Sequence, residues 1–114
     1  MVSTIKSGSA TRLRFRLKTN GRTHTLIAAS GNILKNRWVH VAAVYDGRTM
    51  RLYQDGVAVG SMAKQGSLTG NRNSRVWIGG NPPSAKSRRW KGLIDEVSIY
   101  SYALTPSEVA DLAR

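Results

Sequence analysis

Lys91-Gly92-Leu93-Ile94-Asp95-Glu96-Val97-Ser98-Ile99-Tyr100 alternates between two side-chain sets, the period of a half-buried strand. Leu93, Asp95, Val97 and Ile99 form one set; Ile94, Glu96, Ser98 and Tyr100 form the other. The first is the more apolar, so it is expected to face a core and to carry Asp95 with it. A carboxylate among core residues costs several kcal/mol unless hydrogen bonds or a cation hold it. Asp95 therefore either accepts backbone N–H bonds, pairs with a buried arginine, or ligates a metal. Directly after this stretch, Thr105-Pro106-Ser107-Glu108 reads as a capping box with proline at the first helical position. Leu104 and Val109 are placed for a hydrophobic staple across that cap. A strand, a turn and one short helix are expected to close the chain.

Working outward, 114 residues make one small domain, expected to span 1–114. The 40% hydrophobic content and three tryptophans indicate a folded chain. There is no cysteine, which excludes disulfides and thiolate metal sites. No run reaches the roughly 18 apolar residues of a membrane span, and the first residues carry no apolar signal core. The net charge of +12 is unevenly placed. Residues 1–91 hold 17 Lys and Arg against Asp46 and Asp55; residues 92–114 hold only Arg114 against four acids. Such a basic body attracts polyanions at low salt.

Arg12-Leu13-Arg14-Phe15-Arg16-Leu17-Lys18 is the cleanest strand. Leu13, Phe15 and Leu17 fall on one face, and Arg12, Arg14, Arg16 and Lys18 on the other, about 7 Å apart. Few acids exist to screen them, so this face is either a solvated surface or a basic strip that meets an anion. Asn20-Gly21 marks a hairpin into a return strand over Thr23–Ala29. Trp38–Tyr45 is apolar on both faces and suits a central strand. Asp46-Gly47 is a turn. Met50–Gln54 and Val57–Met62 flank Asp55-Gly56, a second hairpin. Residues 65–74 read as a polar loop, Arg75–Ile78 as a short strand, and 81–89 as an exposed loop leading to Trp90. Seven or eight short strands and one helix predict an all-β antiparallel sandwich.

Four pieces, in this order, resemble the laminin-G-like, concanavalin A-like jelly roll: Arg37-Trp38-Val39-His40-Val41-Ala42, Tyr45-Asp46-Gly47, Leu52-Tyr53-Gln54-Asp55-Gly56, and Gly92–Tyr100. The closing capped helix over Ala103–Glu108 matches too. The resemblance covers roughly residues 12–112. It implies a two-sheet jelly roll and a non-catalytic binding module of secreted or surface proteins, often for carbohydrate. The family usually has several more strands before the part matching Arg12, whereas only about eleven residues precede it here. A sandwich lacking strands exposes apolar core and strand edges, so a homo-oligomer, with a dimer favoured, is expected. The family sometimes binds structural calcium near the Asp95 strand. Calcium wants six to eight oxygens, and the strands that would supply partners are those expected to be missing.

Some enzymes of this superfamily cleave glucans with a Glu-x-Asp-x-x-Glu cluster on one strand. This chain has none, and Asp95 and Glu96 point to opposite strand faces. His40 reads as a packed, hydrogen-bonded strand residue, and His24 has no acid or nucleophile near it in sequence. Trp38 and Trp77 read as core. Trp90 behind Ser87-Arg88-Arg89 is either core or a sugar platform, since sugar rings stack on indole while arginine pairs with carboxylate or sulfate. The expected function is carbohydrate binding with a preference for anionic polysaccharide, through Lys86, Arg88, Arg89 and Trp90, with Arg12, Arg14, Arg16 and Lys18 as a second surface. Two alternatives are a structural module that oligomerises or meets an acidic protein, and nonspecific nucleic-acid binding by the basic face.

Overall fold

The computed structural model describes residues 1–80 and 89–114. The chain divides into two compact units, one made of residues 1–69 with 101–114, the other of residues 70–100.

The first unit holds two three-stranded antiparallel sheets and one helix. Sheet one runs β1 (Val2–Ser7), β2 (Ala10–Thr19), β3 (Arg22–Ile27); sheet two runs β4 (Val41–Tyr45), β5 (Thr49–Gln54), β6 (Val57–Ala63). Helix α1 spans Pro106–Leu112. This is the expected all-β sandwich of concanavalin A type with a short C-terminal helix. Strand β1 was not expected. It pairs along β2 from Val2 opposite Phe15 to Ser7 opposite Ala10, so the residues before Arg12 supply a strand of their own.

Alternation decides burial. On β2, Leu13 and Phe15 are buried against Leu26, Ala28, Met50, Leu52 and Val59, and Leu17 packs against the same cluster. Strand β5 buries side chains on both of its faces. Met50 and Leu52 enter the intersheet core, while Tyr53 turns the other way with Val44 to meet Val109 of α1. Leu52 and Tyr53 are both buried, on opposite faces, and the register with β6 shifts between them. At Gly60 the sheets come close: a Cβ there would stand 3.1 Å from the Ala28 Cα.

The turns follow the expected chemistry. Asn20 and Gly21, at φ 47° and 75°, make the first hairpin, and Asp55 and Gly56, at 51° and 79°, the second, both left-handed at two successive residues. The Asp46 carboxylate accepts from the Arg48 and Thr49 amides at 2.8 and 2.7 Å. The capping box is complete: Thr105 Oγ1 accepts from the Glu108 amide at 3.2 Å, and Glu108 Oε2 accepts from the Thr105 amide at 2.8 Å. Val109 is fully buried, with Leu104 packed against its cluster.

Several expectations are corrected. Trp38–Tyr45 is extended only from Val41, and β4 is an edge strand; the central place belongs to β5. Trp38 and Trp77 are exposed, not core. His40 is half-buried, and its Nδ1 is enclosed without a hydrogen-bond partner among the described residues. Six strands, rather than seven or eight, are present among the described residues.

The second unit is irregular. Arg75–Ile78 is not a strand, and neither is Lys91–Tyr100. All ten residues from Lys91 to Tyr100 are exposed, so Leu93, Asp95, Val97 and Ile99 do not face a core. The physical reason is local. Glu96 takes a positive φ of 51°, which breaks the pleat in mid-stretch, and no ladder to a described strand holds either half extended. Asn71 organises a small turn, accepting from the Asn73 amide through Oδ1 and the Ser74 amide through its carbonyl.

Candidate functional site

The outer face of sheet one is built by β2 and its two neighbours. Arg12 lies opposite Ile5; Arg14 lies between Ser3 and Ile27; Arg16 lies opposite Thr25, and Lys18 opposite Thr23. None of these cross-strand partners carries a negative charge. The Arg14 Nε donates to the Ser3 hydroxyl at 3.0 Å, and an Arg12 guanidinium N–H donates to the Gly31 carbonyl. These bonds fix two heads without neutralising them. Arg16 and Lys18 are exposed, and Arg12 and Arg14 are half-buried.

Five of the six side-chain carboxylates have partners elsewhere. Asp46 pairs with Arg51 at 2.8 Å, and Asp111 pairs with Arg114 at 2.9 Å. Asp55 accepts from the His40 amide, Asp95 from the Glu96 amide, and Glu108 closes the helix cap. The Arg51 guanidinium, then the Arg48 and Thr49 amides, hold the Asp46 carboxyl down at about 2. No carboxylate reaches the β2 strip among the described residues. The four cations that the alternation placed on one face are therefore brought together, and their field is left unscreened.

Lys86 and Arg88 lie outside the described residues. Arg89 and Trp90 are exposed in the second unit. Trp90 is oriented twice: its amide donates to the Gly79 carbonyl at 2.8 Å, and its indole N–H donates to the Leu93 carbonyl at 3.3 Å. Gly92 sits beside the indole edge, where a Cβ would stand 3.2 Å from Nε1. Trp90 is thus a partly exposed residue whose indole is held by its polar edge.

Asp95 does not sit in a core. It is exposed, and its Oδ1 accepts from the amide of the next residue at 2.8 Å. Among the described residues no three His, Asp or Glu side chains gather as a metal set would.

One cluster was missed. Lys64, just beyond β6, is buried, and its ammonium stands 2.5 Å from His24 Nδ1. The signal was present in the alternation Gly60, Met62, Lys64, which continues the inward face of β6, and in the pairing of His24 with inward-facing Leu17.

The chain matches the family described as the concanavalin A-like lectin/glucanases superfamily, of laminin-G type, over residues 3–110. That match begins inside β1. Pappalysin-1 of Mus musculus is 36% identical over 103 residues, 86% of this chain and 6% of that protein. Pappalysin-1 of Homo sapiens is 33% identical over the same shares. The adhesion G-protein coupled receptor V1 of Danio rerio is 26% identical over 97% of this chain and 2% of that protein. The chain thus spans a small fraction of the relatives it matches. A crystal structure of an S-layer domain-containing protein from Clostridium thermocellum shares the fold, with a TM-score of 0.55 and 22% identity, over 99% of this chain and 63% of that one. Domains of this kind are commonly binding modules rather than catalysts. With its two antiparallel sheets, terminal helix and near full-length match, the chain belongs to the laminin-G-type branch of the concanavalin A-like lectin/glucanase superfamily.

Proposed function

We propose that this domain is a non-catalytic module that binds anionic polysaccharide through the outer face of β2. The carrying observation is a strip of four cations with no carboxylate opposite any of them. A polyanion with regularly spaced charges can lie along such a strip and release its counterions, as it does on other basic surfaces. Arg89 and Trp90 offer a second, separate contact, in which the indole stacks on a sugar ring and the guanidinium meets carboxylate or sulfate.

The test is binding to a sulfated polysaccharide, a neutral polysaccharide and duplex DNA across a salt series. The chain is expected to hold the sulfated polymer, to ignore the neutral one, and to lose affinity steeply with salt. The triple substitution Arg14→Gln, Arg16→Gln, Lys18→Gln should flatten that salt dependence and weaken binding at least tenfold at low salt. Equal or tighter binding to DNA would move the function to nucleic acid. Binding unaltered by the triple substitution would remove β2 from the account.

Self-association is the second reading. Leu93, Val97 and Ile99 are 76%, 53% and 80% exposed within seven residues of sequence, apolar side chains that a partner could cover. A second copy of the chain would cover them. Light scattering at low and physiological salt should then give the mass of at least two chains at both; a single-chain mass at both would end this reading.

A further inference from the structure

The inner end of the β2–β3 hairpin faces Lys64, which is only 8% exposed. Lysine is rarely buried this far without a carboxylate partner, because removing its charge from water costs several kcal/mol. No carboxylate meets it among the described residues. Its ammonium has three protons. One reaches His24 Nδ1 at 2.5 Å and another the Arg22 carbonyl at 3.5 Å, at the limit of a hydrogen bond. No acceptor for the third is found among the described residues. An ammonium can only donate, so in this contact His24 Nδ1 is its acceptor.

Around this ammonium lies an open cleft of about 410 Å³, lined by Thr19, Asn20, Arg22, His24, Lys64 and Gln65, with Ala63 as the apolar member. Its walls are fixed. Thr19 is almost fully buried, and its hydroxyl donates to the Gln65 carbonyl at 3.1 Å. The Lys64 amide donates to the Arg48 carbonyl at 2.8 Å, which ties the base of the cleft to the β4–β5 turn. Arg22 is exposed at the mouth. A buried cation and an imidazole thus share one cleft with exposed Arg22 on its lining, and no carboxylate pairs with Lys64 among the described residues.

We propose that this cleft binds a single oxyanion group, a carboxylate or a sulfate, with the Lys64 ammonium as its anchor and the Arg22 guanidinium closing over it. The volume leaves room for a sugar-sized body behind the charged group. The source is thus either a free ion or an acidic sugar, and both present the same oxygens. The site lies on the face of sheet one opposite the β2 strip, since His24 pairs with Leu17 while Thr23 pairs with Lys18. It does not depend on polysaccharide binding by that strip, and either can fail alone.

The experiment is a titration of the full chain, followed by NMR at the His24 ring and the Lys64 side chain, with inorganic sulfate, glucuronate and, as the neutral probe, glucose. Saturable shifts are expected with an oxyanion and none with glucose. A response to glucuronate names an acidic sugar as the source, and a response to sulfate alone names a free ion. Lys64→Met should weaken binding at least about tenfold, the loss of a hydrogen bond to a charged group, and Arg22→Gln should weaken it by less. Lys35→Gln, an equal change of net charge in another loop, should leave it unchanged. If Lys64→Met does not fold, Arg22→Gln at an exposed position carries the decision alone. Absence of saturation into the millimolar range, an equal response to glucose, or full affinity in Arg22→Gln would each overturn the proposal.

Discussion

Strand β2 and the stretch 93–99 carry the same alternating pattern and meet opposite fates. Strand β2 has β1 on one side and β3 on the other, and its apolar set is buried to 3% at Leu13 and 7% at Phe15. Leu93 and Ile99 stand 76% and 80% exposed. The difference lies in backbone partners. A ladder on both sides fixes which face each side chain takes, whereas 93–99 has no ladder among the described residues and a left-handed residue at Glu96. Alternation is a permission to be half-buried, and neighbouring strands are what enforce it.

The sharpest way to break this contrast is a pair of truncations. Leu52→Ala, at a fully buried position, should cost about 2–5 kcal/mol in urea unfolding. Ile99→Ala should change stability by no more than about 0.5 kcal/mol, as exposed sites do. A cost at Ile99 matching that at Leu52 would mean that 93–99 is packed in a core after all. Between those extremes falls Thr105→Ala, which removes the side-chain half of the capping box and should cost about 1 kcal/mol. That value would show that residues beyond 100 belong energetically to the body with β2.

A smaller effect lies in the acid range. The Asp46 carboxyl is held at about 2, below its ordinary 3.8. A depressed folded value means that the carboxylate stabilises the fold above about pH 4 and loses that contribution as the pH falls through 2. The urea midpoint of the native chain should therefore drop between pH 5 and pH 2 by more than that of Asp46→Asn. Because Asp46 is exposed, solvent screens the effect. An equal drop in both chains would show that the β4–β5 turn does not depend on this charge.

Much of the body was legible because local chemistry and burial agree there. Asn20-Gly21, Asp55-Gly56, Thr105-Pro106-Ser107-Glu108 and the β2 alternation each specify a geometry by themselves. Strand β1 was not legible, because Val2–Ser7 mixes Ser, Thr and Lys with only two aliphatic residues and becomes a strand through its register on β2. Trp38 and Trp77 misled because size is a weak guide to burial in a loop. For the site, the residue types of the β2 strip were readable, but the absence of carboxylates opposite them is a property of register. Lys64 escaped notice because a lone lysine after an alternating strand reads as solvated until its partner strand is known.

The two segments of the body, 1–69 and 101–114, are joined through residues 70–100: the chain leaves after Thr69 and returns at Ser101, and Val109 of α1 packs with Val44 and Tyr53. For the body, that whole passage is a closed loop, and closure entropy rises only with the logarithm of its length, about 0.6 kcal/mol for each doubling. The body can therefore carry passages of very different length and composition at little cost to its own stability. The stretch holding Arg89 and Trp90 is in this sense an exchangeable cassette, open to substitution without rewriting the fold of the body.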